Sequence, residues 1–254
     1  MKGRTVIITR PRAQSQRLAA AVRRLGARPL VAPAIRIAAP SSWTALDRAL
    51  RALASYDALV FTSVNGVEMF FRRARRVLRR EPALPRLVFA IGPATAAAAK
   101  RFGAAVLSLP DEYEGEALAK HLLRRLGKSS GARLLLPRAK AGRDALPRLV
   151  RRAGARIDVV EAYRTVPDPT GRRVLSRAVR SGGSPVVTFT SASTVEHFVA
   201  AVGLRRARIF FRTASAASIG PITSRALLAH GIRLAVQAEP FTVDGLARAI
   251  RGLA

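Results

Sequence analysis

Short apolar runs alternate with longer amphipathic segments along the chain. The runs Val6–Thr9 and Ala58–Thr62 precede segments whose apolar residues recur at helical spacing, Gln14–Leu25 and Val64–Leu78. Short strands separated by helices are typical of parallel sheets covered by helices on both faces. The pattern therefore predicts an α/β fold. The further elements predicted in this half are helix Thr44–Ala54, strand Leu87–Ile91, helix Pro93–Phe102, strand Ala105–Leu109 and helix Gly115–Leu126.

The second half of the chain repeats the first at an offset of 128 residues. The matching segments are Arg10 with Arg138, Phe61–Ser63 with Phe189–Ser191, and Ile91–Pro93 with Ile219–Pro221. A constant offset across separate motifs indicates a duplicated unit, and the unit is far longer than a solenoid repeat. We therefore expect two similar α/β domains, each with a parallel sheet flanked by helices.

Two extended segments interrupt the alternation at equivalent places in the two copies. They are Ala27–Pro40 and Ala155–Pro169, and both are rich in Pro, Val and Ile. Their position predicts connectors between the domains. The repeat alone leaves open whether the domains follow one another along the chain or whether the chain crosses between them.

The repeated motifs fall where predicted strands end and helices begin, which is where open α/β sheets bind ligands. Ser63 and Ser191 are placed to cap helices, and Thr95 and Thr223 lie in the first turns of helices that start at proline. Free N–H groups at such helix starts attract carboxylates and phosphates. Each motif alone is more simply a helix cap, but four of them in two matched domains indicate an anion-binding cleft.

Arginines stand at the ends of the first strand of each copy. Arg10 and Arg138 are equivalent, and Arg143 follows closely in the second copy. Arginine binds carboxylates through two parallel hydrogen bonds. The arginines of segment 72–80 lie on a helical pattern and are interpreted as a solvated face.

The net charge of +30 comes from 45 Lys and Arg against 15 Asp and Glu, and forty of these cations are arginine. A polyanionic partner would explain the charge. The high content of Arg, Ala, Gly and Pro, which all have GC-rich codons, explains it too, and we favour this explanation for most of the excess. The charge permits an anionic ligand but does not identify one.

Several classes of function lack their signatures. The sequence has no cysteine, no glycine-rich nucleotide loop and no metal-ligand spacing among its three histidines, so neither a cofactor nor a metal is expected. Aromatic residues are 6% of the chain, too few for stacking on single-stranded nucleic acid, so nucleic acid is not expected as a partner. With no membrane-length apolar run and no export signal, the cytoplasm is the expected compartment and no membrane partner is expected.

The sequence resembles the uroporphyrinogen-III synthase family over nearly its whole length. The resemblance rests on the order and spacing of several motifs: ThrArgPro at 9–11, PheThrSerValAsnGlyVal at 61–67, AlaIleGlyProAlaThr at 90–95, LeuLeuProArgAla at 135–139, ValValGluAlaTyrArgThr at 159–165, PheThrSerAlaSerThrVal at 189–195 and SerIleGlyProIleThr at 218–223. It implies two α/β domains joined by a two-stranded extended connector, with a cleft between them. Domain one would comprise residues 1–37 and 167–254, and domain two, inserted, residues 38–166.

The resemblance also implies a reaction. An enzyme of this family, a cyclising hydro-lyase, closes hydroxymethylbilane to uroporphyrinogen III with loss of water and inversion of ring D, on the route to heme, siroheme, cobalamin and chlorophyll. The implied substrate is a linear tetrapyrrole with eight carboxylates, and a transient hand-over from hydroxymethylbilane synthase is expected. The family expectation is a monomer.

The site residues follow from the same resemblance. Tyr163 matches a connector tyrosine that assists departure of the substrate hydroxyl, although part of the activity survives its loss. Ser63, Thr95, Ser191 and Thr223 match residues of the cleft and are expected to bind carboxylates. Arg10, Arg138 and Arg143 are expected to do the same on the strength of their strand-end positions.

Two alternatives of other classes stay open on the sequence. One is a non-catalytic regulatory protein that binds anions or nucleic acid with the same domain pair, although no DNA-binding module is visible. The other is a two-domain sugar- or phosphate-binding protein of the periplasmic type, which the missing export signal disfavours.

Overall fold

The computed structural model of the protein describes residues 1–108, 115–127, 131–140, 142 and 144–253. The strands, numbered in chain order, are β1 (Thr5–Ile8), β2 (Arg28–Val31), β3 (Ile35–Ala38), β4 (Ala58–Phe61), β5 (Leu87–Ala90), β6 (Val106–Ser108), β7 (Arg133–Ala139), β8 (Arg156–Pro167), β9 (Val186–Phe189), β10 (Ser215–Ser218) and β11 (Leu234–Gln237). The α-helices are α1 (Gln16–Arg24), α2 (Thr44–Arg51), α3 (Val64–Leu78), α4 (Pro93–Lys100), α5 (Gly115–Leu126), α6 (Ala145–Arg152), α7 (Pro169–Ser181), α8 (Ala192–Val202), α9 (Leu204–Phe210), α10 (Pro221–Ala229) and α11 (Val243–Arg251).

The chain divides into two compact units. Unit 1 combines Met1–Ile37 with Thr165–Ala254, and unit 2 is Ala38–Arg164. The chain crosses from one unit to the other twice, within β3 and within β8, and these strands are hydrogen-bonded neighbours. Within the described residues both units have the predicted architecture, a parallel sheet with helices packed on it, so the α/β fold class is confirmed.

The sheet of unit 1 has the strand order β11-β10-β9-β1-β2, and its neighbouring strands run parallel. Successive residues of β1 face opposite sides. Val6 and Ile8 pack in one core with α1 and α11, and Ile7 packs in a second core with α8. All three residues are at most 1% exposed, as expected for a strand covered on both faces.

The sheet of unit 2 has the order β3-β8-β7-β4-β5-β6, in which β4–β5, β5–β6, β4–β7 and β7–β8 are parallel. On one face Phe61 of β4 meets Phe70 and Phe71 of α3, with ring centres 5.4 and 6.0 Å away. Phe71 stacks on Phe102, just beyond α4, at 4.6 Å. These rings fix α3 and α4 side by side on the sheet.

The predicted connectors contain ordinary sheet strands. Ala27–Pro40 includes β2, which pairs with β1 from Thr5–Arg28 to Ile8–Val31. Ala155–Pro169 contains β8, which pairs with β7 over most of the length of β7. The chain crosses between the units inside both segments, and each segment also adds a strand to a sheet because partners distant in sequence pair with it.

The interpretation of segment 72–80 as a solvated face is wrong for Arg73. Its guanidinium donates two hydrogen bonds to Asp47 of α2, at 2.6 and 2.5 Å, and lies 4.6 Å from the ring centre of Trp43. The side chains of Arg73 and Asp47 are only 17% and 14% exposed. The pair holds α3 against α2, and the Asp47 carboxylate that makes this possible is remote in sequence.

Candidate active site

The carboxyl edge of the unit 1 sheet carries three of the predicted site residues. Arg10 follows β1, Ser191 follows β9, and Thr223 lies in the first turn of the helix after β10. Strands β1, β9 and β10 are consecutive neighbours in the sheet. The three residues therefore come from adjacent strand ends.

Ser191 caps α8, as its position predicts. Its Oγ accepts the N–H of Thr194 at 3.3 Å, and Oγ1 of Thr194 accepts the N–H of Ser191 at 3.3 Å, so the two residues form a reciprocal capping box. In the first turn of α10, Thr223 is 3% exposed. Gly220 caps this helix, and a Cβ on it would lie 3.3 Å from the ring of Phe241, so that ring packs closely against the glycine.

Arg10 carries a partly buried positive charge. Its Nη2 donates to Oε1 of Gln14 at 3.4 Å, and its Nε is buried with no hydrogen-bond partner in the described part of the chain. Burial lowers the pKa of the guanidinium from its usual value, although arginine remains charged at neutral pH. A buried donor without a partner is costly, and an incoming carboxylate would remove that cost.

The carboxyl edge of the unit 2 sheet collects the other predicted residues. Ser63 follows β4, Thr95 lies in the first turn of α4 after β5, Arg138 lies near the end of β7, and Tyr163 lies in β8. Their strands are consecutive in the order β8-β7-β4-β5. Gly92, at the start of α4, has a φ of 77°, a backbone conformation that favours glycine.

Tyr163 and Ser63 are in direct contact. The tyrosine hydroxyl lies 3.0 Å from Oγ of Ser63, and the tyrosine is 7% exposed. Ser63 also caps α3, because its Oγ accepts the N–H of Gly66 at 3.0 Å. The start of α3 therefore fixes the tyrosine hydroxyl.

Gly66 is required by this arrangement. A Cβ at this position would lie 3.0 Å from the carbonyl oxygen of Pro137, 3.2 Å from Oγ of Ser63 and 4.0 Å from the ring of Tyr163. A larger side chain at position 66 would therefore push against Ser63 and disturb its contact with Tyr163. Gly66 lies within the motif at 61–67, but nothing in the sequence alone indicates this role.

Asn65 is a second residue that the sequence analysis did not assign. Burial raises the pKa of Tyr163 above its ordinary value of 10.0, while hydrogen bonds from Ser63 and Asn65 oppose that rise. The net direction is upward, so the hydroxyl keeps its proton at neutral pH. The signal in the sequence was the position of Asn65 two residues after the helix cap.

Arg138 is held beside the same edge. Its Nη2 donates to Oδ1 of Asp144 at 2.6 Å, and its side chain is 13% exposed. A Cβ on Gly142 would lie 2.8 Å from Nη1 of Arg138, so the loop backbone packs closely on the guanidinium. Arg143 lies outside the described residues.

The chemistry available at these two edges is anion binding together with one weak acid. Helix N–H groups, serine and threonine hydroxyls and arginines all favour carboxylates, and the buried Tyr163 hydroxyl is a hydrogen-bond donor. In the part of the chain that the structure describes, no group of three or more His, Asp or Glu residues is arranged to hold a metal ion. No helix among the described residues is long and apolar enough to cross a membrane.

The chain matches a known protein family along most of its length. Residues 16–248 match the family model described as uroporphyrinogen-III synthase HemD. The uroporphyrinogen-III synthase of Synechococcus elongatus is 32% identical over 259 aligned positions, which cover 98% of this chain and 94% of that protein.

Solved structures with the same fold carry the same family name. A mutant uroporphyrinogen III synthase from Thermus thermophilus superposes with a TM-score of 0.69 at 20% identity, covering 97% of this chain and 96% of the other. The uroporphyrinogen-III synthetase of Helicobacter pylori gives a TM-score of 0.60 at 17% identity, covering the whole of both chains. The match to the family model covers residues 16–248 and the identity to the Synechococcus protein covers 98% of the chain, which therefore belongs to the uroporphyrinogen-III synthase family.

Proposed function

We propose that this protein catalyses the cyclisation of hydroxymethylbilane to uroporphyrinogen III, with loss of water and inversion of ring D. It is then a cyclising hydro-lyase of tetrapyrrole biosynthesis. Family membership over the whole chain supports the activity. The structural observation that carries the proposal is the buried Tyr163 hydroxyl, held by the helix cap Ser63 at the carboxyl edge of a parallel sheet.

Substrate binding is the first task of the proposed site. The substrate is flexible and bears eight carboxylates, so the protein must hold it in one conformation before its two ends can join. In unit 1 we assign carboxylate binding to Arg10, Ser191 and Thr223, and in unit 2 to Ser63, Thr95, Arg138 and Arg143. Supporting this assignment, the described members lie at strand ends or in first helical turns of their sheets.

Tyr163 is assigned to the chemical step, the departure of the substrate hydroxyl. The hydroxyl of the substrate leaves as water, so the leaving oxygen must gain a proton, and a protonated phenol can donate a hydrogen bond to it. The pKa of Tyr163, raised by burial, supports a donor that stays protonated through the neutral range. Loss of water leaves an azafulvene at the ring A end, and ring D attacks it through its already substituted carbon to form a spiro intermediate. Fragmentation of that intermediate and reclosure then invert ring D.

The decisive experiment is an isomer assay. Hydroxymethylbilane synthase and porphobilinogen supply the linear tetrapyrrole, and the product is oxidised and separated by chromatography. We expect the type III isomer at a rate well above spontaneous closure. Formation of only the type I isomer, at the rate seen without the protein, would refute the proposal.

The cellular setting is part of the same proposal. We assign the protein to the cytoplasm as a monomer that receives its unstable substrate from hydroxymethylbilane synthase. Light scattering gives the oligomeric state. A comparison of coupled rates with and without an inert protein diluent detects a direct hand-over.

A further inference from the structure

A groove of about 700 Å³ opens at the amino edge of the unit 1 sheet, at the opposite ends of the strands from Arg10 and Ser191. Its apolar surface includes Leu30 of β2 with Val174 and Ala178 of α7. Three arginines also line it, Arg4, Arg28 and Arg177, and its described lining contains no carboxylate. The volume lies in the range of small-molecule sites.

The duplicated unit has side chains that fill part of this place. In unit 2 the equivalent edge carries a smaller groove of about 400 Å³, and Tyr56, Asp158 and Arg133 lie in its lining. Tyr56 is 5% exposed, and its hydroxyl donates to Oδ2 of Asp158 at 2.6 Å. Nη2 of Arg133 donates to the same oxygen at 2.8 Å, and its guanidinium carbon lies 4.4 Å from the centre of the tyrosine ring. An aromatic ring, a carboxylate and an arginine thus form one plug.

Unit 1 lacks all three parts of this plug. At the offset of 128 residues, Tyr56 corresponds to Ser184, Asp158 to Leu30 and Arg133 to Thr5. The strand registers support the alignment, because Leu30 lies opposite Ile7 in unit 1 and Asp158 lies opposite Leu135 in unit 2. The groove of unit 1 is therefore larger than that of unit 2, about 700 against about 400 Å³, and it lacks the ring and the carboxylate that narrow the groove of unit 2.

The arginines that line the groove give it a positive charge that an anionic ligand could pair with. Arg4 contributes its charge but is fixed in place by the protein, since its Nε donates to the carbonyl oxygen of Ser184 at 3.0 Å, its Nη2 to Oγ of Ser215 at 3.3 Å and its Nη1 to the carbonyl oxygen of Leu253. Arg28 and Arg177 are exposed and form no ion pair with any residue that the structure describes. A carboxylate can pair with these guanidinium groups, and a flat ring can lie on the apolar surface under one of them.

We propose that this groove binds a small aromatic carboxylate. The ring takes the place that the Tyr56 ring has in unit 2, and the carboxylate takes the place of Asp158 and pairs with the arginines of the rim. The inference rests on the duplication and on the groove itself, and it stands or falls independently of the proposed enzymatic activity.

The first test uses 2-naphthoate as the probe and the full chain labelled with ¹⁵N. We expect saturable amide shifts at Arg177, Gly182 and Gly183, and none at Ser63 or Ser191. The uncharged 2-naphthol has the same ring, and we expect it to bind at least tenfold more weakly. Equal affinity for the two probes, or shifts spread over the surface without saturation, would overturn the proposal.

The second test uses variants of the rim. Arg177→Gln should weaken 2-naphthoate binding about fivefold or more, since it removes one charged hydrogen-bond donor. Arg172→Gln, on the same helix but turned away from the groove, is the matched control and should leave the affinity unchanged. If Arg28→Gln and Arg177→Gln together also leave it unchanged, the arginines do not recognise the carboxylate and the proposal is wrong.

A third variant rebuilds the plug of unit 2. Thr5→Arg, Leu30→Asp and Ser184→Tyr, combined in one protein, should abolish probe binding while the circular dichroism spectrum stays native. Full binding in a folded triple variant contradicts the proposal. Should the triple variant not fold, the arginine variants decide the question.

Discussion

The hydroxyl of Tyr163 and Oγ of Ser63 lie 3.0 Å apart, although 100 residues separate them along the chain. Ser63 is held in turn by the N–H of Gly66. The phenol is therefore fixed by a helix terminus instead of rotating freely, and its orientation depends on the start of α3.

Replacing Tyr163 by Phe should lower kcat about tenfold and change KM little, because only a hydrogen-bond donor to the leaving oxygen is lost. Steady-state kinetics of the coupled reaction measure both constants. Tyr56→Phe is the matched control, since it removes another buried phenol at the opposite edge of the same sheet. It should reduce stability and leave kcat unchanged. An unchanged kcat in Tyr163→Phe would remove this residue from the mechanism.

The pH dependence of kcat should also report the role of the Tyr163 hydroxyl. Burial raises the pKa of Tyr163, so the donor is lost only as the pH rises above the ordinary value of 10.0. We expect no loss of kcat from this group between neutral pH and that value, and an alkaline decline that is absent in Tyr163→Phe. The profile is measured in single-turnover experiments with substrate prepared beforehand. A decline near neutral pH that disappears in the Phe variant would contradict the assignment.

Ser63→Ala should lower kcat because it releases the Tyr163 hydroxyl, and it should also cost about 1 kcal/mol of stability as the cap of α3 is lost. Thr242→Ala is the control for the second effect, since Thr242 caps α11 by accepting the N–H of Gly245 at 3.0 Å. It should lower the melting temperature similarly and leave kcat intact.

The combined variant Ser63→Ala with Tyr163→Phe distinguishes a positioning role from a separate contact with substrate. If the serine acts through the tyrosine, the double variant should be no slower than Tyr163→Phe alone. If instead the factors by which the two single variants lower kcat multiply in the double variant, Ser63 acts independently of Tyr163.

Arg10→Gln should raise KM about tenfold with a smaller effect on kcat, because a charge-assisted hydrogen bond to a carboxylate is lost. Arg12→Gln changes an exposed arginine two residues away and should have little effect. Both variants lower the net charge by one, so a difference between their KM values reports the specific contact of Arg10 and not the general loss of positive charge. Equal KM values in the two variants would exclude Arg10 from substrate binding.

Asp47→Asn should destabilise unit 2 by about 2 kcal/mol, since it leaves Arg73 without its charged partner in a largely buried place. Asp244→Asn is the matched control, because Asp244 pairs with Arg17 at the surface, where the two side chains are 44% and 72% exposed. It should cost well under about 1 kcal/mol. Urea unfolding monitored at Trp43 reports on the first variant and far-ultraviolet circular dichroism on both.

The stabilisation by the Asp47–Arg73 ion pair should depend on pH, because the pKa of Asp47 is shifted in the folded protein. The hydrogen bond from Arg73 lowers the pKa of Asp47 below its ordinary value of 3.8. The stabilisation is therefore present above that value and is lost as the pH falls through the lower, folded-state pKa. The stability difference between the native chain and Asp47→Asn should shrink in acid, and a constant difference would mean that the carboxylate charge does not matter.

Local patterns predicted the elements that have local causes. Helix α3 begins and ends where the sequence predicts, at Val64 and Leu78, because Ser63 provides a cap and the apolar residues repeat at helical spacing. Helix α5 likewise spans Gly115–Leu126 as predicted. The repeat placed Ser63 and Ser191 at equivalent helix starts, and the structure bears out both caps.

Other features depended on partners that no local pattern contains. β2 was hidden in a proline-rich segment and becomes a strand because β1 lies beside it. Arg73 reads as one more surface arginine until Asp47 and Trp43 are seen around it. The resemblance pointed to Tyr163, but its contact with Ser63 follows from the sheet order that places β8 two strands from β4.

The central place of β1 in the unit 1 sheet, between β9 and β2, has a consequence for synthesis on the ribosome. Strand β1 has to wait for β9, a partner that is translated about 180 residues later, while unit 2 is contiguous and can complete its own sheet in the meantime. The inserted unit can therefore fold first, and until β9 emerges the apolar residues Val6, Ile7 and Ile8 lack one of the two strands that flank them in the folded sheet.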